Sequence, residues 1–353
     1  MYDIAIIGLG PAGANLARLL SPHFRVIAVD RSYNESGFSK PCGGLLAPDA
    51  QKILAKFNLT LPKNILVDPQ IFSVRTIDVN TGITRHYQRF YLNMNRLKFD
   101  NWLRSLIPAN VEIYKNARCE KITRNADGYE LFGTKDNEKF NIKSRYIIGA
   151  DGANSIVRRT FFSKLKVRKY LAIQQTFDNH DVLPFYSSIF DSKTTDCYAW
   201  SVTKDNKFIF GGAFKLKNAR KNYEKLKEKL KKYGFSLENP LKTEACLVLR
   251  PTIFQNLHQN KNGIFLIGEA AGFISPSSLE GISYALKSSY ELSKLFNKNA
   301  ENCGKKYNRT IRKMRRKLYI KNIKSPFIYN PFFRKLIMKS GMKSISVIKK
   351  DEN

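Results

Sequence analysis

Carboxylates are scarce in this chain: 29 Asp and Glu stand against 61 Lys and Arg among 353 residues, a formal charge of +32. Such a field attracts anionic partners, whether phosphate-bearing cofactors, acidic lipid headgroups or nucleic acid, unless it only coats the surface with solvated lysine. Cysteines are few and odd in number (Cys42, Cys119, Cys197, Cys246, Cys303), widely scattered and never in a C-x-x-C pair. That argues against a disulfide framework and a zinc site, and fits reduced thiols in the cytosol. The four histidines (His23, His86, His180, His258) are equally dispersed, and no metal is expected. No apolar run reaches the roughly 18 residues a membrane span needs. The N-terminus lacks a basic region followed by an apolar stretch and a cleavage site, so a cytoplasmic protein without a targeting segment is expected.

Apolar residues are plentiful: 43% hydrophobic and 12% aromatic supply a core for one large domain or two packed ones. Residues 3–8 read as a buried parallel strand, Ala14–Leu20 as a helix and Arg25–Asp30 as a second strand, together a βαβ unit. Residues 31–47 read as a loop, followed by a helix from Pro48 to about Phe57. Ile71–Val79 and Thr84–Tyr91 alternate like half-buried antiparallel strands, and Arg96–Leu106 reads as a helix. Short strands follow over 111–145, and Tyr146–Ala150 reads as another buried strand. From about 166 to 249 the pattern is largely β, with strands near 169–177, 185–190, 196–203, 207–214 and 243–249, broken by a lysine-rich helix at about 218–232. A buried strand returns at Ile264–Ile267. The spacing predicts a discontinuous first domain (1–68, 91–165, 250–300), an inserted second one (69–90, 166–249) and a basic, mainly helical C-terminal segment (301–353).

Gly8-Leu9-Gly10-Pro11-Ala12-Gly13 is a G-x-G-x-x-G that follows a strand, opens a helix and precedes Asp30 at the end of the next strand. This is the context of a dinucleotide fingerprint. Gly8 makes the tight turn, Gly10 lets the backbone approach a pyrophosphate, and Gly13 lets helix and strand pack closely. The helix N-terminus offers unpaired N–H groups to the phosphates. Asp30, with Arg31 beside it, would hold the ribose and disfavour a 2′-phosphate, so FAD or NAD fits better than NADP. Two further turns separate FAD from NAD. One is Gly149-Ala150-Asp151-Gly152. The other is Gly268-Glu269-Ala270-Ala271-Gly272, followed by Pro276 and Glu280-Gly281-Ile282. An acid at a strand-to-turn junction can hold ribityl hydroxyls, and helix N–H groups can stabilise charge at the pyrimidine edge of a flavin.

The three motifs in this order resemble the flavoprotein superfamily of aromatic hydroxylases, flavin halogenases and geranylgeranyl reductases. Lys40-Pro41-Cys42-Gly43-Gly44 resembles the Cys-Gly-Gly loop of the geranylgeranyl reductase family. Gly37–Asp49 with Gly268–Leu286 is more similar still to that family's bacterial CbrA-type flavoproteins. The resemblance runs from residue 2 to about 345. It implies an α/β fold: a Rossmann-like FAD-binding domain with an inserted β-rich (α+β) substrate domain, like the aromatic hydroxylases. It also implies that Asp151 and Gly152 form the family's Asp-Gly motif, that Glu269 stands where relatives carry Asp, and that Arg96 lies near the diphosphate. Cys119 would meet the adenine through its backbone, and Cys42 with Gly43 and Gly44 would lie at the isoalloxazine face, where a thiol could donate a proton or shape the cavity. Tyr198 and Trp200 are kept from the family's P-x-x-Y-x-W-x-F-P substrate segment, while both prolines and the Phe are not, so they read either as cavity wall or as core.

The expected activity is FAD-dependent oxidoreduction: a reductase passing hydride to a hydrophobic, unsaturated, isoprenoid or lipid-like substrate. NAD(P)H or a reduced protein partner would supply electrons. An FAD monooxygenase and a flavin-binding regulatory protein without turnover are the alternatives. The basic run from Lys305 to Lys317, with Leu318, Tyr319 and Ile320 interleaved, reads either as a peripheral contact with an anionic membrane at its inner face or as a solvated helix packing its apolar stripe on the first domain. No nucleic-acid motif is present.

Overall fold

The apolar run at the N-terminus forms the strand Tyr2–Ile7, whose last four residues are buried. The computed structural model describes residues 1–31, 40–165, 167–178, 185–252, 260–298 and 303–347; His180, His258 and residues 37–39 lie outside the described residues. Tyr2–Ile7 sits between two parallel neighbours, with Ile4 opposite Val26 of Val26–Asp30 and Ile7 opposite Gly149 of Glu138–Gly149. Ile264–Leu266 and Val111–Lys115 add a further parallel strand on either side. Unbroken Ile, Val and Ala suit strands that are covered on both faces. The short strand expected at Tyr146–Ala150 is the far end of the twelve-residue Glu138–Gly149, whose first half pairs with Tyr129–Lys135 of an antiparallel hairpin. The whole is an eight-stranded sheet.

Helix Pro11–Leu19 carries proline in its first turn, where the missing N–H costs nothing. Helix Ile282–Asn297 packs along it. The fully buried Asn15 joins the two, donating to Leu286 O at 3.2 Å and Ser289 Oγ at 2.8 Å. A buried amide so satisfied fixes how one helix sits on the other.

The second sheet has nine strands. Along its main path they run Lys242–Leu249, Lys169–Asp178, Lys207–Lys215, Ala199–Lys204, Phe185–Phe190, Ile71–Asp78, Ile83–Asn93 and Ser344–Ile345. Phe185–Phe190 and Ile71–Asp78 pair in parallel, and the other neighbours are antiparallel. The lysine-rich helix is Ala219–Leu230, extended by a 3-10 turn over Lys231–Tyr233. Its stripe of Tyr223, Leu226 and Leu230 is fully buried and packs with Phe177, Phe210 and Phe214.

Two expectations change, and the C-terminal segment is mainly helical as read. Within the stretch read as loop, Leu45–Leu46 is a short strand held antiparallel to Leu92–Asn93, an apolar pair with a sheet edge to cover. The strand read as Thr84–Tyr91 runs from Ile83 to Asn93. The C-terminal stretch is helical over Cys303–Thr310, Arg312–Tyr329 and Pro331–Lys339, then ends in a strand that pairs Ser344 with Tyr87 and Ile345 with His86. It does not stand apart from the body. Tyr307, Ile311, Met314 and Leu318 recur at helical spacing and enter the core of the first sheet. No helix among the described residues is long and apolar enough to cross a membrane.

Candidate functional site

Ile264–Leu266, Glu138–Gly149, Tyr2–Ile7 and Val26–Asp30 are consecutive and parallel in the first sheet, so their carboxyl ends share one edge. The turns Gly268–Ala271, Ala150–Asn154 and Gly8–Gly10, and the carboxylate of Asp30, therefore emerge side by side. The crevice beyond the carboxyl ends of parallel strands is where α/β sheets hold ligands.

Close packing of these turns needs glycine at two points. Gly8 has φ +95°, and a Cβ there would sit 2.8 Å from Ala150 O. At Gly13 a Cβ would run into the Gly8 carbonyl. Gly10 differs, since a Cβ on it would meet nothing within 4 Å. Asp30 Oδ2 accepts from Leu9 N–H, and Arg104 donates to Leu9 O at 3.0 Å while its Nη2 lies 3.7 Å from Asp30 Oδ1. Asp30 and Arg104 thus grip the peptide of Leu9 between them.

Asp151 Oδ2 accepts from Ile156 N–H at 2.6 Å. Its Oδ1 is shut off from solvent and has no hydrogen-bond partner among the described residues, and burial pushes the carboxyl above its usual range. Glu269 is differently committed: Oε2 pairs with Lys40, and Oε1 accepts from Leu249 N–H at 2.9 Å. Arg158, buried, donates to Ala153 O and, at 2.8 Å, to Ala270 O, which clamps the second turn to the third.

A cavity of about 800 Å³ opens along this edge. Gly8, Gly10, Pro11, Ala12, Asp30, Arg31, Cys42, Gly43, Gly44, Arg96, Cys119, Asp151, Gly152, Glu269, Gly281 and Ile282 line it, as do Tyr198 and Trp200. Gly13, Gly268, Gly272 and Pro276 do not. Gly13 packs helix on strand, as its place in the motif requires. Gly268 (φ +55°) and Gly272 (φ +76°) shape the third turn, and the Pro276 carbonyl accepts from Arg250 at 3.0 Å. Arg96 is paired with Asp100 at 2.9 Å one turn along its helix. Burial, with Asp151 and Glu120 nearby, pushes the Cys119 thiol up to about 12, so it stays neutral.

The Cys-Gly-Gly loop is held from the second sheet. Lys204 Nζ donates to Gly44 O (3.2 Å), Asn93 Oδ1 (2.6 Å) and Met94 O (2.7 Å), while Cys42 Sγ accepts from Gly44 N–H at 3.4 Å. Gly44 itself has φ +59°. Tyr198 Oη donates to Ser278 O at 2.7 Å. Trp200 Nε1 donates to Gln174 Oε1 at 3.4 Å, and its ring covers Gly211, where a Cβ would come within 2.6 Å. Tyr91, Tyr186, Phe190 and Ile274 complete this wall. Arg104, Lys204 and Tyr186 were not singled out from sequence. Each belongs to an ordinary helix or strand pattern: Arg104 and Lys204 gain their roles from Leu9 and Gly44, more than 80 residues away, and Tyr186 packs on Tyr91 of another strand, with no local signal.

The residues fit a flavin dinucleotide. An open approach at Gly10 sits before a helix N-terminus, the acids Asp30, Asp151 and Glu269 line the crevice, Asp151 with an oxygen that has no partner among the described residues, and the volume lies in the range of a large buried ligand. Residues 73–306 match the FAD binding domain family. Protein CbrA of Escherichia coli O6:H1 (strain CFT073) is 49% identical over 350 residues, covering 99% of this chain and 96% of the relative. Protein CbrA of Shigella sonnei (strain Ss046) is also 49% identical, over 99% of each chain. Among solved structures, a geranylgeranyl bacteriochlorophyll reductase-like protein from Thermoplasma acidophilum superposes with a TM-score of 0.79 at 16% identity, over 95% of this chain and 90% of its own. PqsL from Pseudomonas aeruginosa in complex with 2-aminobenzoylacetate gives 0.71 at 14% identity, over 97% and 99%. Likeness at such identity speaks to fold alone, a mixed α/β flavoprotein fold shared with FAD-dependent monooxygenases.

The protein is thus an FAD-binding flavoprotein. The chain belongs to the FAD-binding domain family and, within it, to the CbrA flavoproteins.

Proposed function

We propose that the enzyme reduces a hydrophobic, unsaturated substrate of isoprenoid or lipid-like character, taking hydride from N5 of the reduced flavin. The observation that carries this reading is an apolar wall built by Phe190, Trp200 and Val248 of the second sheet and by Ile274 and Leu279 from the segment after the third turn, interrupted chiefly by phenols. Once reduced, bound FAD would supply a two-electron hydride donor. Burial pushes the phenols of Tyr186 and Tyr198, both on this wall, above their usual range. Both keep their protons at neutral pH and can orient a polar end of the substrate without ionising. Cys42, beside Arg96 and Lys204, is the residue we assign to the flavin ring and to the accompanying proton. Electrons enter from NAD(P)H or a reduced protein partner.

The test is product mass. Holoenzyme incubated with an electron donor and a lipid extract should yield a species heavier by two hydrogens, formed equally well without oxygen. Incorporation of an atom from isotopically labelled dioxygen would overturn the reductase in favour of a monooxygenase. A holoprotein that no donor reduces would turn the reading to a binding protein.

A further inference from the structure

Between Cys303 and Val347 the chain carries fourteen Lys and Arg and no Asp or Glu. The helices Arg312–Tyr329 and Pro331–Lys339 form a hairpin in which this charge accompanies an uncovered apolar face. Ile320, Ile323 and Phe327, at i, i+3 and i+7, are each at least 50% exposed, and Phe332 is 65% exposed. Phe333, Leu336 and Ile337 extend the face along the second helix. The ring centroids of Phe327 and Phe333 lie 5.1 Å apart, so the face is continuous across the turn at Asn330. Among the described residues nothing covers it, and contiguous apolar patches of this extent mark contact surfaces.

The hairpin is rigidly mounted. Arg334, buried, pairs with Asp78 at 2.9 Å and donates to the Ile328 and Tyr329 carbonyls, each at 3.1 Å. Arg250 lies over the Tyr329 ring at 4.4 Å, and Tyr329 Oη donates to Ser277 O at 2.7 Å. Ser277 and Lys321 both line the cavity, so its wall and the apolar face meet on one helix, with Lys321 between Ile320 and Ile323.

We infer that this hairpin seats the protein on an anionic lipid bilayer, with its aliphatic and aromatic side chains among the upper acyl chains and the flanking lysines (Lys324, Lys335, Lys339) at the headgroups. Apolar side chains on one face with cations beside them are the pattern of helices that lie in the membrane interface. A second copy of the chain is a poor occupant, since two such faces would bring uncompensated positive charge together. The inference locates the contact in the apolar hairpin rather than in the Lys305–Lys317 run. It concerns the partner surface, so it stands or falls separately from the reductase reading, although a lipid-borne substrate would gain access along the same helix.

Cosedimentation of the holoprotein with vesicles of phosphatidylcholine, with and without phosphatidylglycerol, tests it. Binding should require the anionic lipid at low salt and survive in part at about 0.5 M salt, where charge attraction is screened but apolar insertion is not. Phe327→Ser with Phe332→Ser should weaken binding at least about tenfold, with the flavin absorbance spectrum and unfolding midpoint unchanged. Absence of binding at low salt overturns the inference. So does binding that high salt abolishes and the double variant leaves intact. Conversion of a native dimer to monomer by the same variant, without vesicle binding, would assign the face to a second copy.

Discussion

Gly10 and Gly13 lie three residues apart and answer different needs. A methyl group on Gly13 collides with the Gly8 carbonyl, so Gly13→Ala should destabilise the fold by about 1–3 kcal/mol. A methyl on Gly10 touches no protein atom, and any cost of Gly10→Ala therefore falls on the ligand. The expected result is an unchanged thermal midpoint for the apoprotein together with FAD retention at least about tenfold weaker, read by fluorescence titration. Lys204 carries a second residue-scale prediction. Burial pushes its ammonium down to about 7, with Cys42 and Asp205 opposing, whereas the unfolded chain holds that proton to about 10.5. Between those values the unfolded state binds more protons, so stability rises with pH across the window, and the full penalty applies below it. Denaturant midpoints of the wild type relative to Lys204→Met should climb from pH 7 toward pH 10, by at most about 1.4 kcal/mol per pH unit. A flat difference would mean that its three oxygen partners keep the lysine charged.

At the scale of elements, the C-terminal hairpin depends on one buried pair. Asp78 is fully buried and receives Arg334, Asn80 N–H and Thr81 Oγ1. Removing only the cation leaves a carboxylate out of water, so Arg334→Met should cost about 3 kcal/mol. Adding Asp78→Asn should recover part of that loss in equilibrium unfolding. The elements also separate what was legible in the sequence from what was not. The glycine turn with Asp30 could be read because its meaning is local: strand, turn, helix and strand within about thirty residues. The lysine-rich helix could be read from the period of its apolar stripe. Arg158 could not, because its value as a clamp depends on Ala153 and Ala270 being neighbours. Nor could the outward side of Arg312–Tyr329, where Ile320 and Ile323 follow the spacing that elsewhere marks a core. Periodicity reports that a face is apolar, and only tertiary structure reports whether anything lies against it.

Over the whole molecule the chain shuttles between its two sheets. It builds Tyr2–Ile7 and Val26–Asp30 in the first, crosses to Ile71–Asp78 and Ile83–Asn93 in the second, and returns for Val111–Gly149. It then leaves again for the strands from Lys169 to Leu249, comes back at Asn260, and crosses once more to the second sheet at Ser344–Ile345. The cavity between the sheets is therefore walled by segments from nearly the full length of the polypeptide. Pairings at such sequence separation must close long loops before they repay the entropy, and folding should be slow accordingly.

This interleaving bears on how the gene can be cut. A fragment trimmed to the matched span 73–306 would lose both Tyr2–Ile7 and Val26–Asp30 from the middle of the first sheet, leaving Glu138–Gly149 and Val111–Lys115 without the parallel neighbours they pair with. At the other end it would shed the residues that close the outer strand at His86 and Tyr87 and leave Asp78 without its cation. Among the described residues the strands of the first sheet are spread over 2–266 and those of the second over 45–345, so recombination or truncation inside the chain has few places to act without exposing an unpaired sheet edge.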